Sequence, residues 1–345
     1  MDEQNEPVAG AGAPTDRAVS VSESGTDRPS RAETGNERRG RARTWLLWIL
    51  GIILVAGLAS GGYVVYRQME RVRAAEARLD AATELLDAAE DDLLLVDEAV
   101  QSEISSEIAT QAADALPVAE KVRADALAAV TIIDEVVPVL GEELLPVAEA
   151  LKASALARAD MMAEAPTILE ADRKAALAMV PADTALTEIK AAEDFITKAV
   201  AEFNKHTADG VRASTANSVE AEKRLTNARS LLATATAAFP EADYTAFVTY
   251  IDAKLGLVAN SKEIDSLWLA GKVAESNAKL DAYNKKDAEI VAMAAALPTS
   301  VRDPIADAYE SLTADARDRY FEARERARAA GEQVNVLRGT STDDE

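Results

Sequence analysis

The sequence predicts an all-α protein, a single transmembrane helix followed by an elongated helical rod made of a coiled-coil-like stalk and then helical hairpins or a bundle. Three observations carry that prediction. Residues 45–66, WLLWILGIILVAGLASGGYVVY, contain no Asp, Glu, Lys, Arg or His. From Val72 onward large apolar residues alternate with alanine at heptad spacing. Alanine is abundant and aromatic residues make up only 4% of the chain, a composition suited to long helices packed along narrow seams rather than to a thick ring-filled core.

Residues 1–44 are rich in Gly, Pro, Ser, Thr and charge without any apolar period, and so read as a disordered tail. The apolar stretch that follows would span about 33 Å as a helix, enough for a hydrocarbon core of about 30 Å. Trp45 and Trp48 mark one edge and Tyr63 and Tyr66 the other, as amphipathic rings do at the headgroup level. The lipid bilayer is therefore the first predicted partner. Arg38, Arg39, Arg41 and Arg43 precede the stretch and Arg67, Arg71 and Arg73 follow it, a bias that puts the N-terminus in the cytoplasm and the C-terminal domain outside the cell membrane. A cleaved signal peptide, with Gly57 and Ala59 as the small residues of its cleavage site, is the competing reading. Gly57 and Gly61 form a small-xxx-small pair that would let two such helices approach closely, so a homodimer is a second expectation.

Residues 67–115 are expected to form one unbroken stalk helix. Val72, Leu79, Leu86, Leu93 and Val100 recur every seventh residue, with Ala75, Ala82, Ala89 and Val96 between them, a heptad seam that could pair with a sister chain or with later helices of the same chain. Beyond Val100 the spacing changes to fours through Ile104, Ile108 and Ala112, a stutter in the seam. Residues 116–180 hold an internal repeat: LPVAEKVRADALAAVTIIDE from Leu116 aligns without a gap on LPVAEALKASALARADMMAE from Leu145, which suggests one helix per unit with Pro in its first turn.

Residues 181–331 read as a head of helical hairpins. Pro181, Pro240 and Pro298 would open units, and Gly210, Gly271 and Gly331 would mark turns or helix ends. Aromatic residues gather here, and Tyr244, Tyr250, Trp268 and Tyr283 form the candidate region for binding an unknown protein partner. Residues 332–345 end in STDDE and read as a frayed acidic tail.

Charge and motif content narrow the function by exclusion. Asp and Glu outnumber Lys and Arg by 60 to 37. Seven Arg and eight acids precede residue 67, leaving 30 basic and 52 acidic residues beyond it, so the region should repel nucleic acid. The chain has no cysteine, which removes thiolate metal sites, disulfides and cysteine nucleophiles. The single histidine, His206, stands beside a turn with no second histidine to share a metal, and Glu90, Asp91 and Asp92 lack calcium-loop spacing and read as a solvated face. No phosphate loop, nucleophile elbow or zinc-protease helix occurs. The sequence thus predicts no enzyme, cofactor, metal or catalytic residue, but a membrane-anchored helical scaffold or protein-interaction module. The alternatives are a cytoplasm-facing, spectrin-like regulator of a membrane-associated assembly such as the division ring, and a receptor or ligand-binding ectodomain.

Overall fold

The computed structural model describes residues 65–105 and 107–339, all of whose regular structure is helical. The chain parts into two units, Met1–Val65 and Tyr66–Glu345. Residues 45–64 of the apolar stretch, with Gly57 and Gly61, lie outside the described residues. Among the described residues no helix is long and apolar enough to cross a membrane.

The second unit is built on one long helix. α1 covers residues 65–88, α2 Glu90–Gln101, α3 Ile108–Val136, α4 Leu145–Phe203, α5 Ala208–Ala238, α6 Thr245–Leu269, α7 Val273–Ala295 and α8 Asp303–Arg338. At 59 residues, α4 would run about 88 Å if straight. Its first part packs against α3 and its last part against α5, while α8 follows it in the opposite direction. Three ion pairs fix that direction, Arg302 with Asp183 at 2.6 Å, Arg319 with Glu164 at 2.8 Å and Arg326 with Asp160 at 3.1 Å. As one index rises the other falls, which is the mark of antiparallel helices.

Two bundles result, placed one after the other along α4. The proximal bundle joins α1 and α2, α3, the first part of α4 and the last part of α8. Its core has two layers, one around Leu79, Leu86, Ile133 and Leu151, the other around Val96, Val122, Met162, Leu169 and Tyr320. The distal bundle joins the rest of α4 to α5, α6 and α7 around Leu225, Leu232, Phe239, Ile251 and Leu257. α8 enters that core too, through Ile305 and Tyr309, and so belongs to both bundles.

The predicted heptad seam is present and its partner is intramolecular. Ala75, Leu79, Ala82, Leu86, Ala89, Val96 and Val100 are all buried, against α3, α4 and α8. The stalk is not one helix, however. The α-helical pattern is interrupted for one residue at Ala89, and it ends at Ser102, whose backbone turns extended at φ −69° and ψ 146°. The Ser102 hydroxyl donates to the Glu98 carbonyl at 2.8 Å, giving a terminal carbonyl the partner that the helix no longer supplies. Serines compete for backbone partners in this way, which makes the polar segment around Ser102 and Ser105 a natural place to reverse the chain. The interruption at Ala89 leaves the register intact. Arg78 pairs with Glu135 across α1 and α3, and Lys121 with Asp92 across α2 and α3, and the indices of both pairs add to the same total.

The internal repeat describes a packing face rather than a repeated element. Its first copy starts inside α3 at Leu116, eight residues after the helix begins, and its second opens α4 at Leu145 with Pro146 in the first turn. Ala119 and Ala148, Val122 and Leu151, Ala126 and Ala155, and Ile133 and Met162 are equivalent in the repeat, and all eight are buried. Pro181 does not open a unit either, because α4 runs through it as it does through Pro166. An interior proline removes one ladder hydrogen bond and costs about 3 kcal/mol, which the fully buried Ala165, Ile168, Leu169, Ala178 and Ala182 around them offset. Gly331 likewise lies within α8 and marks no turn.

Pro240 and Pro298 do fall between helices, as does Gly271, whose φ of +76° is natural only to glycine. Gly210 sits in the first turn of α5, where a Cβ would lie 2.6 Å from the Glu202 carbonyl oxygen. The α4 to α5 reversal is tight for that reason, and Thr207 caps α5 by accepting from the Gly210 N–H at 3.1 Å.

Candidate functional site

The best-formed candidate site is a cavity of about 210 Å³ in the distal bundle, where α7 stands off from the end of α4. α4 contributes Val200 and Phe203, the residue that follows it Asn204, α5 Ser214, α6 Ser261, Ile264 and Asp265, and α7 Leu280, Tyr283 and Asn284. The lining mixes apolar side chains with hydroxyl, amide and carboxyl groups, and Asp265 is its one carboxylate residue. It is 1% exposed, and the Thr215 hydroxyl donates to its Oδ2 at 2.9 Å. The lining contains no Lys or Arg. Burial raises the Asp265 carboxyl above its usual range, and the Ser214 and Thr215 hydroxyls oppose that shift. Ser214 leans toward the carboxyl without closing a hydrogen bond, so its fully buried Oγ has no partner among the described residues. Ser218 and Ser261 face each other at 3.3 Å just beside it. Burial, and then the charges of Asp287 and Asp265, push the Tyr283 phenol up to about 12, so it stays a neutral donor.

The cavity exists because α7 is held on one side only. Ser276, Tyr283 and Ile290, spaced by seven, are its buried residues, and α6 is the helix it packs against. The Ser276 hydroxyl donates to the Ile264 carbonyl at 3.2 Å, and Lys279 pairs with Glu263 at 2.6 Å.

Two other buried acids, Asp97 and Asp172, have contrasting surroundings. Asp97 on α2 accepts from Arg324 at 2.8 and 3.0 Å, from Tyr320 at 3.1 Å and from Gln101 at 2.7 Å. It is a fully partnered link between α2 and α8. Asp172 on α4 is 1% exposed, and neither carboxyl oxygen has a hydrogen-bond partner among the described residues. Burial raises its pKa to about 6, which the nearby Tyr309 hydroxyl and Arg317 charge oppose only in part. Arg317 itself donates to Tyr309 at 2.9 Å.

The four aromatic residues expected to meet a partner have other surroundings. Tyr244, Tyr250 and Tyr283 are 2%, 3% and 7% exposed and belong to the distal core, whereas Trp268 is half-buried against it. The Tyr250 hydroxyl donates to Glu193. Three of the four therefore offer no docking surface, although Tyr283 does line the cavity. His206 is exposed in the α4 to α5 turn at φ 51°, and no group of three potential metal ligands occurs among the described residues. Sequence reasoning missed Asp265, yet a signal was present: Ile251, Val258 and Asp265 share one heptad position on α6, so an acid stands where the pattern calls for an apolar residue.

Comparison of the chain with protein-family models, with curated proteins and with solved structures gives no match.

Proposed function

We propose that this chain is a single-pass membrane-anchored helical module that presents an acidic helical bundle outside the cytoplasmic membrane and works by docking rather than by chemistry. The observation that carries the reading is the uninterrupted apolar run of residues 45–66, which leads directly into α1. A run of that length without a charge has a natural solvent in the bilayer. The fold supports a module built to hold position: α4 continues from one bundle into the next, and α8 recrosses both. Arginines cluster before the apolar run and favour a cytoplasmic N-terminus.

Anchoring is tested by extracting membranes of expressing cells with alkaline carbonate. The full chain should stay in the pellet, and a chain lacking residues 45–64 should move to the supernatant. Equal release of both forms would contradict anchoring by this segment.

A further inference from the structure

We infer that the distal cavity is a binding site for a small organic cation, a primary alkylammonium whose charged head meets Asp265 and whose chain lies along Val200, Phe203 and Leu280. Three independent features lead there. The first is a carboxyl group 1% exposed beside a cavity with no basic residue in its lining. A buried charge without a counter-ion is costly, and proteins usually pair it. Here the space next to it is open.

The second feature is Ser214, whose fully buried hydroxyl lines the cavity and has no hydrogen-bond partner among the described residues. A primary ammonium carries three N–H donors. Asp265, Ser214 and the Ser261 hydroxyl supply acceptors for them on adjoining turns of α5 and α6. The third is the rest of the lining, which includes the aromatic residues Tyr283 and Phe203, a side-chain type that attracts cations, and Val200 and Leu280, which offer apolar contact to an alkyl chain. At about 210 Å³ the space falls below the roughly 300 Å³ at which sites for drug-sized molecules begin, which favours a ligand of a few carbon atoms. A neutral alcohol of the same size would meet the apolar lining residues but leave Asp265 without its charge partner.

This inference does not depend on membrane anchoring, and its test leaves the anchor untouched. The full chain is titrated calorimetrically with n-butylammonium chloride and, at matched ionic strength, with n-butanol. Saturable one-to-one binding of the amine is expected, with the alcohol at least tenfold weaker. Asp265→Asn should lower amine affinity at least tenfold and leave the alcohol unchanged. Asn284 is exposed at the rim, so Asn284→Trp should close the mouth without disturbing the core and abolish binding. That variant decides the matter if Asp265→Asn fails to fold. Equal binding of amine and alcohol, amine binding that survives both substitutions, or no saturable amine binding at 20 mM (a concentration chosen to reveal even millimolar affinity) would overturn the inference.

Discussion

At the scale of single residues, the three buried acids behave differently because their partners differ. Asp172 is buried with no hydrogen-bond partner among the described residues, and burial, which the nearby Tyr309 hydroxyl only partly opposes, raises its folded pKa to about 6 from the ordinary 3.8. The folded state therefore holds this proton more tightly than the unfolded one, so the group favours folding below about pH 4 and loses that contribution as pH rises through 6. Replacing Asp172 with Asn should raise stability at pH 7.5 by an amount on the order of 2 kcal/mol and change little at pH 4. Thermal melts of both chains at the two pH values check this, and a destabilised Asn variant at pH 7.5 would contradict it. Asp97 should respond in the opposite sense. Its removal by Asp97→Ala strands Tyr320 and Arg324, at a cost of about 2–3 kcal/mol in urea unfolding, toward the low side for a broken buried pair because the Arg324 side chain is 38% exposed. None of these acids could be placed from composition, since an acidic helical chain has carboxylates on every face. Asp265 alone was legible, through its heptad phase with Ile251 and Val258.

At the scale of elements, the seam was readable because large residues recur every seventh position from Val72 to Val100, with alanine at three of the four positions between them and Val96 at the fourth, and burial largely follows that spacing, with Val72 and Leu93 only partly buried. The end of α2 was hidden by the same pattern: Ile104 and Ile108 extend the apolar spacing across the serine-rich reversal. Pro181 and Gly331 misled for a related reason, since tertiary packing holds α4 and α8 helical where local propensity would break them. Gly210 is the converse case, a turn glycine whose need is steric. Gly210→Ala should place a methyl group against the Glu202 carbonyl and destabilise the fold by about 1–3 kcal/mol, whereas Gly331→Ala, with nothing within 4 Å of its Cβ position, should stabilise α8 by about 1 kcal/mol. Chemical denaturation of the pair separates the two. Helix α7, with buried residues only at Ser276, Tyr283 and Ile290, should be the first distal helix to open. Amide exchange is expected to be faster through α7 than through α5, and equal protection would show that α7 is held by more than its single seam.

At the scale of the whole molecule, the long α4 and returning α8 give the second unit two bundles with shared helices, so the expected division into separable stalk and head does not describe how the chain packs. Deleting 239–331 would remove Ala316, Tyr320 and Ala323 from the proximal core as well as the distal helices. The legible part was the all-helical class, carried by alanine content and heptad spacing. Which seam meets which helix was not legible, because Leu and Ala seams on α1, α4 and α5 are chemically alike and only the folded register distinguishes them. The central claim, an anchored module facing outward, is best tested by thiol accessibility, because the native chain has no cysteine. Ala74 and Ala278 are exposed on α1 and α7, and a single cysteine at either position should react with a membrane-impermeant maleimide in intact cells, while a cysteine replacing Ser30 should react only after permeabilisation. Labelling at position 30 in intact cells, with positions 74 and 278 protected until permeabilisation, would contradict the account and place the bundles in the cytoplasm.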